Sequence, residues 1–171
     1  MFIRLCWIIC LAFALLVLEI LLAKLSVIFP APFILCFYLG VVYNIRLGLI
    51  AGLILTVLSE IFFARTITIM PLFILMIFFN HIWDRFGDRS SYINHAISGF
   101  LLGGLYCAYY LVGQNFISFN WYLSMPRTIY LSLAAVIATS ILLPLVIMFF
   151  DSIADRMNIR QFTRERKGLE E

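Results

Sequence analysis

The residue types best suited to chemistry lie in and beside one polar stretch, DRFGDRSS, at residues 84–91. Two histidines and two aspartates belong to it: His81, Asp84, Asp88 and His95. Imidazole and carboxylate groups bind divalent metals, and the neighbouring Arg85 and Arg89 carry the charge that attracts a lipid headgroup phosphate. We favour a plainer reading, in which this is a charged interfacial loop whose arginines set the topology.

No spacing typical of a catalytic centre occurs elsewhere in the chain. HExxH, GxSxG and paired-aspartate motifs are missing from the sequence. The four cysteines lie in apolar segments without a CxxC pair, which is typical of small buried hydrophobes: Cys6, Cys10, Cys36 and Cys107. We therefore expect a protein that is not an enzyme and holds no metal or cofactor. A lipid-modifying enzyme built on the region from His81 to His95 is the least favoured alternative.

Two carboxylates, Glu19 and Glu60, fall inside apolar segments. An ionised carboxylate at the centre of a bilayer costs about 3 kcal/mol on insertion scales, so such residues tend to be functional. Each lies five residues before a basic residue, Lys24 or Arg65, which places both toward one leaflet. Two readings of Glu60 stay open, a partner or ligand interface and a structural polar contact. For Glu19 we favour the structural contact.

Glu60 belongs to the stretch RLGLIAGLILTVLSEIFFAR, in which eighteen residues separate two arginines. That length fits the roughly 17–25 residues of a membrane-spanning helix. Glycines four residues apart share one helix face and let another backbone approach closely, and a second such pair occurs later in the chain. The hypothetical partner interface comprises Gly48, Gly52, Thr56, Glu60, Gly99 and Gly103.

The composition indicates the class of protein that positions these residues. Of the 171 residues, 64% are hydrophobic and 12% are charged, with a mean hydropathy of +1.07. Lipid solvates that much apolar surface, whereas a soluble domain of this size cannot bury it. The apolar residues form continuous runs, which favours helices. We predict an all-α integral membrane protein whose net charge of +3 reflects topology and not binding to nucleic acid.

Six apolar segments predict six transmembrane helices, at about residues 5–25, 32–43, 46–65, 66–83, 92–112 and 128–150. The first is expected to be retained, because no small-residue cleavage site follows it. The second is shorter than a normal span and reads as a short or broken helix entered through Pro30 and Pro32. Pro71 is expected in the first turn of the fourth.

The predicted organisation is a membrane domain at residues 1–150 and a basic cytoplasmic tail at residues 151–171. Two readings of the tail stay open, a solvated end and an amphipathic turn in which Ile153, Met157 and Phe162 face lipid. With six spans, nine basic residues share the side of both termini and three lie on the other side. The excess of positive charge predicts that both termini are cytoplasmic.

Two stretches allow a comparison with known families. In PFILCFYLGVVYNIRLGLIAGLI, a short apolar helix that begins with proline precedes a glycine-rich helix, and ILLPLVIMFFDSIADRM places Pro144 before a basic tail. In these features, and in the order and length of its segments, the chain resembles the rod shape-determining protein MreD family of bacterial inner-membrane proteins. That family usually has an aspartate one turn after the glycine face, where this chain has Thr56, with Glu60 one turn later.

The resemblance implies a non-catalytic scaffold subunit of the cell-shape and peptidoglycan elongation machinery. Such a subunit binds the bitopic protein MreC and helps couple cytoplasmic MreB filaments to cell-wall synthesis enzymes; self-association is a further expectation. The resemblance also implies a fold similar to the substrate-capture (S-component) subunits of energy-coupling-factor transporters. The alternative function is therefore capture of a vitamin or metal. Its best polar candidates lie in the outer connection: Asn115, Asn120, Trp121 and Tyr122.

Overall fold

The computed structural model of the protein describes residues 2–25, 27, 29–63, 68–89, 91–118, 125–157, 159 and 161–163. Within those ranges every regular element is a helix, which confirms the all-α class. The α-helices are α1 (Phe2–Lys24), α2 (Ala31–Val42), α3 (Ile45–Phe63), α4 (Phe73–Phe86), α5 (Tyr92–Ser118) and α6 (Met125–Arg156). A short 3-10 helix, Met70–Leu72, leads into α4.

The prolines lie where their missing amide proton is least costly. Pro30 precedes α2 and Pro32 lies in its first turn, so neither removes a bond from the helix interior. Pro71 lies in the 3-10 helix before α4. Of the two readings of the second segment, the short helix is confirmed and the broken helix is wrong, because α2 is continuous over 12 residues. The last helix, α6, contains Pro144 and continues to Arg156, six residues beyond the predicted end of the membrane domain.

Within the residues that the structure describes, three helices are long and apolar enough to cross a membrane, judged by length and composition: Ile3–Lys24, Ile45–Phe63 and Ser132–Arg156. Two shorter apolar helices accompany them, Ala31–Val42 and Met70–Trp83. The chain therefore has the character of a helical membrane protein. The six crossings that the sequence predicts stay a prediction.

The short helix α2 forms the centre of the molecule. All twelve of its residues are buried. A helix that is apolar on every side must be surrounded, and α2 packs most extensively against α3 and also contacts α1 and α4. The ring of Phe33 lies 5.1 Å from that of Phe73 and 5.6 Å from that of Tyr106, measured between centroids. Thus α2 brings α4 and α5 into one core.

Aromatic contacts bring both described ends of the chain to one end of the helix bundle. Phe150 near the end of α6 lies 6.4 Å from Trp7 of α1 and 5.5 Å from Tyr38 of α2, between ring centroids. Trp83 of α4 lies 6.3 Å from His95 at the start of α5. We call this the terminal end of the bundle.

Polar contacts mark the other end. The hydroxyl of Thr68, before α4, donates to Glu60 near the end of α3 over 2.9 Å. The hydroxyl of Tyr109, in the second half of α5, donates to the carbonyl oxygen of Thr68 over 2.9 Å. Together the two sets of contacts show that successive helices run in alternating directions, with α1, α3 and α5 beginning at the terminal end.

Candidate functional site

The first predicted glycine pair lies between α3 and α2. A Cβ atom at Gly48 would lie 2.4 Å from the carbonyl oxygen of Cys36 and 2.7 Å from the amide nitrogen of Gly40. A Cβ atom at Gly52 would lie 2.6 Å from a ring carbon of Phe73. Only glycine permits backbones this close. The hypothesis that a partner helix meets this face stays a prediction, and in this fold α2 of the same chain fills the face.

The second pair brings α5 against α6. A Cβ atom at Gly99 would lie 2.5 Å from the carbonyl oxygen of Thr139, and one at Gly103 would lie 3.0 Å from the Thr139 Cβ. Ser140 strengthens the contact by donating to the carbonyl oxygen of Ala96 over 2.9 Å. Both predicted glycine faces therefore join helices within the chain.

The polar side chains of α3 that the sequence analysis singled out form hydrogen bonds with nearby groups. The Thr56 hydroxyl donates to the carbonyl oxygen of Gly52 over 2.9 Å, and the Ser59 hydroxyl donates to that of Thr56 over 3.0 Å. Oε1 of Glu60 accepts two hydrogen bonds, from the Thr68 hydroxyl (2.9 Å) and from the Ile69 amide (2.8 Å). Glu60 thereby connects the end of α3 to the segment that leads into α4. This contact corresponds to the structural reading of Glu60.

The histidines of the polar stretch have different environments. His95 is fully buried in α5, with Nε2 3.1 Å from the carbonyl oxygen of Arg89, whereas His81 is exposed on α4. The Asp84 side chain lies outside the described set, and Asp88 is exposed. Within the described residues, no three His, Cys, Asp or Glu side chains are grouped so that they could hold a metal ion. The buried carboxylate of α1, Glu19, is 2% exposed.

Asp151 is a buried carboxylate that the sequence did not single out. It is 7% exposed at the terminal end of α6. Its Oδ1 accepts hydrogen bonds from the Tyr38 hydroxyl (2.9 Å) and the Phe162 amide (2.8 Å). Its Oδ2 accepts from the Thr163 amide (2.9 Å) and the Thr163 hydroxyl (2.8 Å). Three of these bonds attach residues 161–163, which we call the C-terminal strap, to α6, and the bond from Tyr38 joins α2 to the same carboxylate.

The strap places Phe162 in the core. Its side chain is fully buried and stacks on Tyr38, with ring centroids 5.7 Å apart and an angle of 17° between the planes. Phe37 lies 5.4 Å away and His95 5.2 Å away, also between centroids. The expectation that Phe162 faces lipid is wrong, because the ring fills an aromatic pocket made by α2 and α5. Residues 164–171 of the predicted tail lie outside the described residues.

An open apolar groove of about 540 Å³ lies between α1 and α3. Ten of its twelve lining residues are aliphatic, and the other two are Asn44 and Arg46. Both walls belong to candidate membrane spans, so the groove faces the lipid. The polar candidates for solute capture cannot be compared with it: the Asn115 side chain and the whole of Asn120, Trp121 and Tyr122 lie outside the described residues.

Comparison with known proteins does not assign this chain to a family. No protein-family model, curated protein or solved structure matches it. Its function is therefore inferred from the residues and packing of the chain itself, together with the resemblance noted in its sequence.

Sequence reasoning overlooked the strap and its carboxylate, although two local signals point to them. Asp151 directly follows a long apolar run, and Phe162 is an aromatic residue in an otherwise polar segment. A carboxylate at a helix end that leaves the membrane is ordinarily solvated, so the first signal is weak on its own. The partner of Asp151 in α2, Tyr38, lies 113 positions away in the chain, and no local pattern predicts that contact.

Proposed function

We propose that this protein is a non-catalytic scaffold subunit of the cell-shape and peptidoglycan elongation machinery in the bacterial inner membrane. The sequence resemblance to the MreD family supports the proposal. The structural observation that carries the proposal is that polar side chains of the helices form hydrogen bonds within the chain. Glu60, Thr56 and Asp151 all bond within the chain, and many large apolar side chains of the described helices are exposed. Such surface suits association with other membrane helices.

The proposed partner is an MreC-like bitopic protein, together with enzymes of cell-wall synthesis. Because α2 and α6 fill the two glycine faces, a partner helix has access to the outward faces of the bundle and not to Gly48 or Gly99. On α4, for example, Ile74, Phe78 and Ile82 recur every four residues and are exposed by 63%, 63% and 57%. A stripe of this spacing is the kind of surface that a second helix packs against.

The proposed topology has six crossings with both termini in the cytoplasm. The alternating helix directions support it, as does the count of nine basic residues against three. At about 1.5 Å per residue, α2 is roughly 18 Å long, well short of the ~30 Å hydrocarbon core. Because α2 is enclosed by protein on all sides, its length does not have to match the lipid.

The test is depletion of the protein in its native bacterium, with cell shape recorded and co-purifying proteins identified in mild detergent. The proposal predicts loss of rod shape and recovery of a single-pass partner. Normal shape together with recovery of an ATPase-linked coupling protein or a bound vitamin would contradict it. That result would establish the alternative, a substrate-capture subunit of an energy-coupling-factor transporter.

A further inference from the structure

We propose that the groove between α1 and α3 binds one acyl chain of an anionic phospholipid whose headgroup phosphate contacts Arg46. This inference does not depend on the proposed scaffold function. It rests on the shape of the groove, on the distribution of polar groups along it and on its depth in the membrane.

Small side chains of both helices line the groove. Ala12 of α1 and Ala51 of α3 both line it, and neither fills the space between the helices. Deeper in the groove the lining is aliphatic, with Ile54 and Leu58 of α3. An apolar groove of this kind binds hydrocarbon and offers a polar solute nothing to bond with.

The two polar residues of the lining lie together at one end. Arg46 is the second residue of α3 and its side chain is exposed. Oδ1 of Asn44 accepts a hydrogen bond from the Arg46 backbone amide over 3.2 Å, so this bond leaves the guanidinium unengaged. Among the twelve lining residues there is no Asp or Glu to neutralise that charge. Guanidinium forms strong paired hydrogen bonds to phosphate, and basic sites between membrane helices attract anionic headgroups.

The length of the groove fits one leaflet. From Arg46 to Leu58 the lining covers twelve steps of α3, or about 18 Å at 1.5 Å per residue. Half of a ~30 Å hydrocarbon core is about 15 Å. Arg46 lies at the end of the candidate span Ile45–Phe63, where headgroups are found, and Leu5 marks the same end of α1. The charge and the apolar lining therefore match the headgroup and the chain of a single lipid.

Native mass spectrometry of the purified full chain tests the charge. The probes are phosphatidylglycerol and phosphatidylethanolamine with identical acyl chains, added separately. We expect one phosphatidylglycerol to be retained in preference, and Arg46→Gln to reduce that preference about tenfold, the factor that corresponds to one charge-assisted hydrogen bond. Arg156→Gln removes an exposed arginine at the end of α6, outside the groove, and should leave the preference unchanged. Equal retention of the two lipids, or equal effects of the two substitutions, would overturn the proposal.

A pair of filling variants tests the groove itself. Ala51→Leu places bulk in the groove without altering Arg46 and should reduce lipid retention several-fold. Ala108→Leu adds the same bulk at an exposed position of α5 outside the groove and should have no effect. Unfolding midpoints measured in detergent confirm that each variant is folded. Undiminished retention in a folded Ala51→Leu protein would overturn the proposal.

Photo-crosslinking in native membranes distinguishes a lipid from a protein occupant. A photoreactive residue at Ile54, which is exposed and lines the groove, should yield a lipid adduct. A reproducible adduct with another polypeptide at this position would contradict the proposal and make the groove a docking site for a helix.

Discussion

Asp151 illustrates how one buried charge determines the position of a distant segment. Its two oxygens receive four hydrogen bonds, two of them from the backbone amides of Phe162 and Thr163. A buried carboxylate is tolerated when its oxygens are satisfied in this way, and removing the charge leaves donors without an acceptor. Asp151 therefore attaches the strap to the bundle, a role that depends on both of its oxygens accepting hydrogen bonds.

Asp151→Asn tests this role. The amide of asparagine has one acceptor oxygen where the carboxylate has two, so two of the four donors lose their partner. We expect the substitution to reduce the free energy of unfolding by about 3 kcal/mol. The measurement is the thermal unfolding midpoint of the purified protein in detergent.

The matched control is Asp155→Asn, which removes the same charge one turn further along α6 at an exposed position; Asp155 accepts an exposed hydrogen bond from the Gln161 side chain, which the asparagine oxygen can still accept. Its midpoint should change little, because an exposed carboxylate contributes little to stability. Equal shifts for the two variants would contradict the assigned role of Asp151.

Gly48 and Gly104 provide a second test at the residue scale. A Cβ atom at Gly48 would meet backbone atoms of α2 at 2.4 and 2.7 Å, whereas one at Gly104 would find no atom within 4 Å. Gly48→Ala must separate the helices, and we expect it to destabilise the protein by about 1–3 kcal/mol. Gly104→Ala gains helix propensity of up to about 1 kcal/mol and should leave stability equal or higher. Unfolding midpoints that fall equally in both variants would refute the close approach of α2 and α3.

At the scale of elements, the sequence predicted six helical segments, and the structure has a helix for each. Long apolar runs, and prolines at their starts, predict these helices from the local sequence alone. The central position of α2 could not be predicted in the same way. A fully apolar helix looks the same in sequence whether lipid or protein surrounds it. The short length of α2 left two readings open, a short helix and a broken one. The glycine faces were recognised as close-packing surfaces, but Gly48 does not reveal whether the packed helix belongs to the same chain.

The strap makes a prediction at this scale. Phe162→Ala removes a fully buried ring from the pocket formed with Tyr38 and His95, and we expect a loss of about 3–5 kcal/mol. Faster amide hydrogen exchange at residues 161–163 should accompany the loss. Phe149→Ala is the control, because that ring is 59% exposed on a candidate membrane span. A Phe162→Ala protein with unchanged stability and exchange would show that the strap is not part of the core.

At the scale of the whole molecule, the protein is a bundle of helices that run in alternating directions around the short buried helix α2. The sequence supplied the number of segments and the charge asymmetry between the two sides. It did not supply the contacts that fix direction, such as that between Tyr109 and Thr68, which join residues 41 positions apart. Within the described residues, three helices have the length and composition of a membrane span, so six crossings require α2, α4 and α5 to cross as well. Of these, α2 is enclosed by protein, whereas α4 and α5 expose apolar side chains.

The most direct test of this account is the sidedness of four connections. Single cysteines replace Leu25, Asn44, Met70 and Phe86, each of which is exposed, in a chain whose native cysteines are changed to serine. A membrane-impermeant maleimide is applied to intact spheroplasts and, as the control, after lysis. We predict labelling of positions 25 and 70 from outside, and labelling of positions 44 and 86 only after lysis. Labelling of positions 25 and 44 from the same side would show that α2 does not cross, and would contradict the six-crossing account.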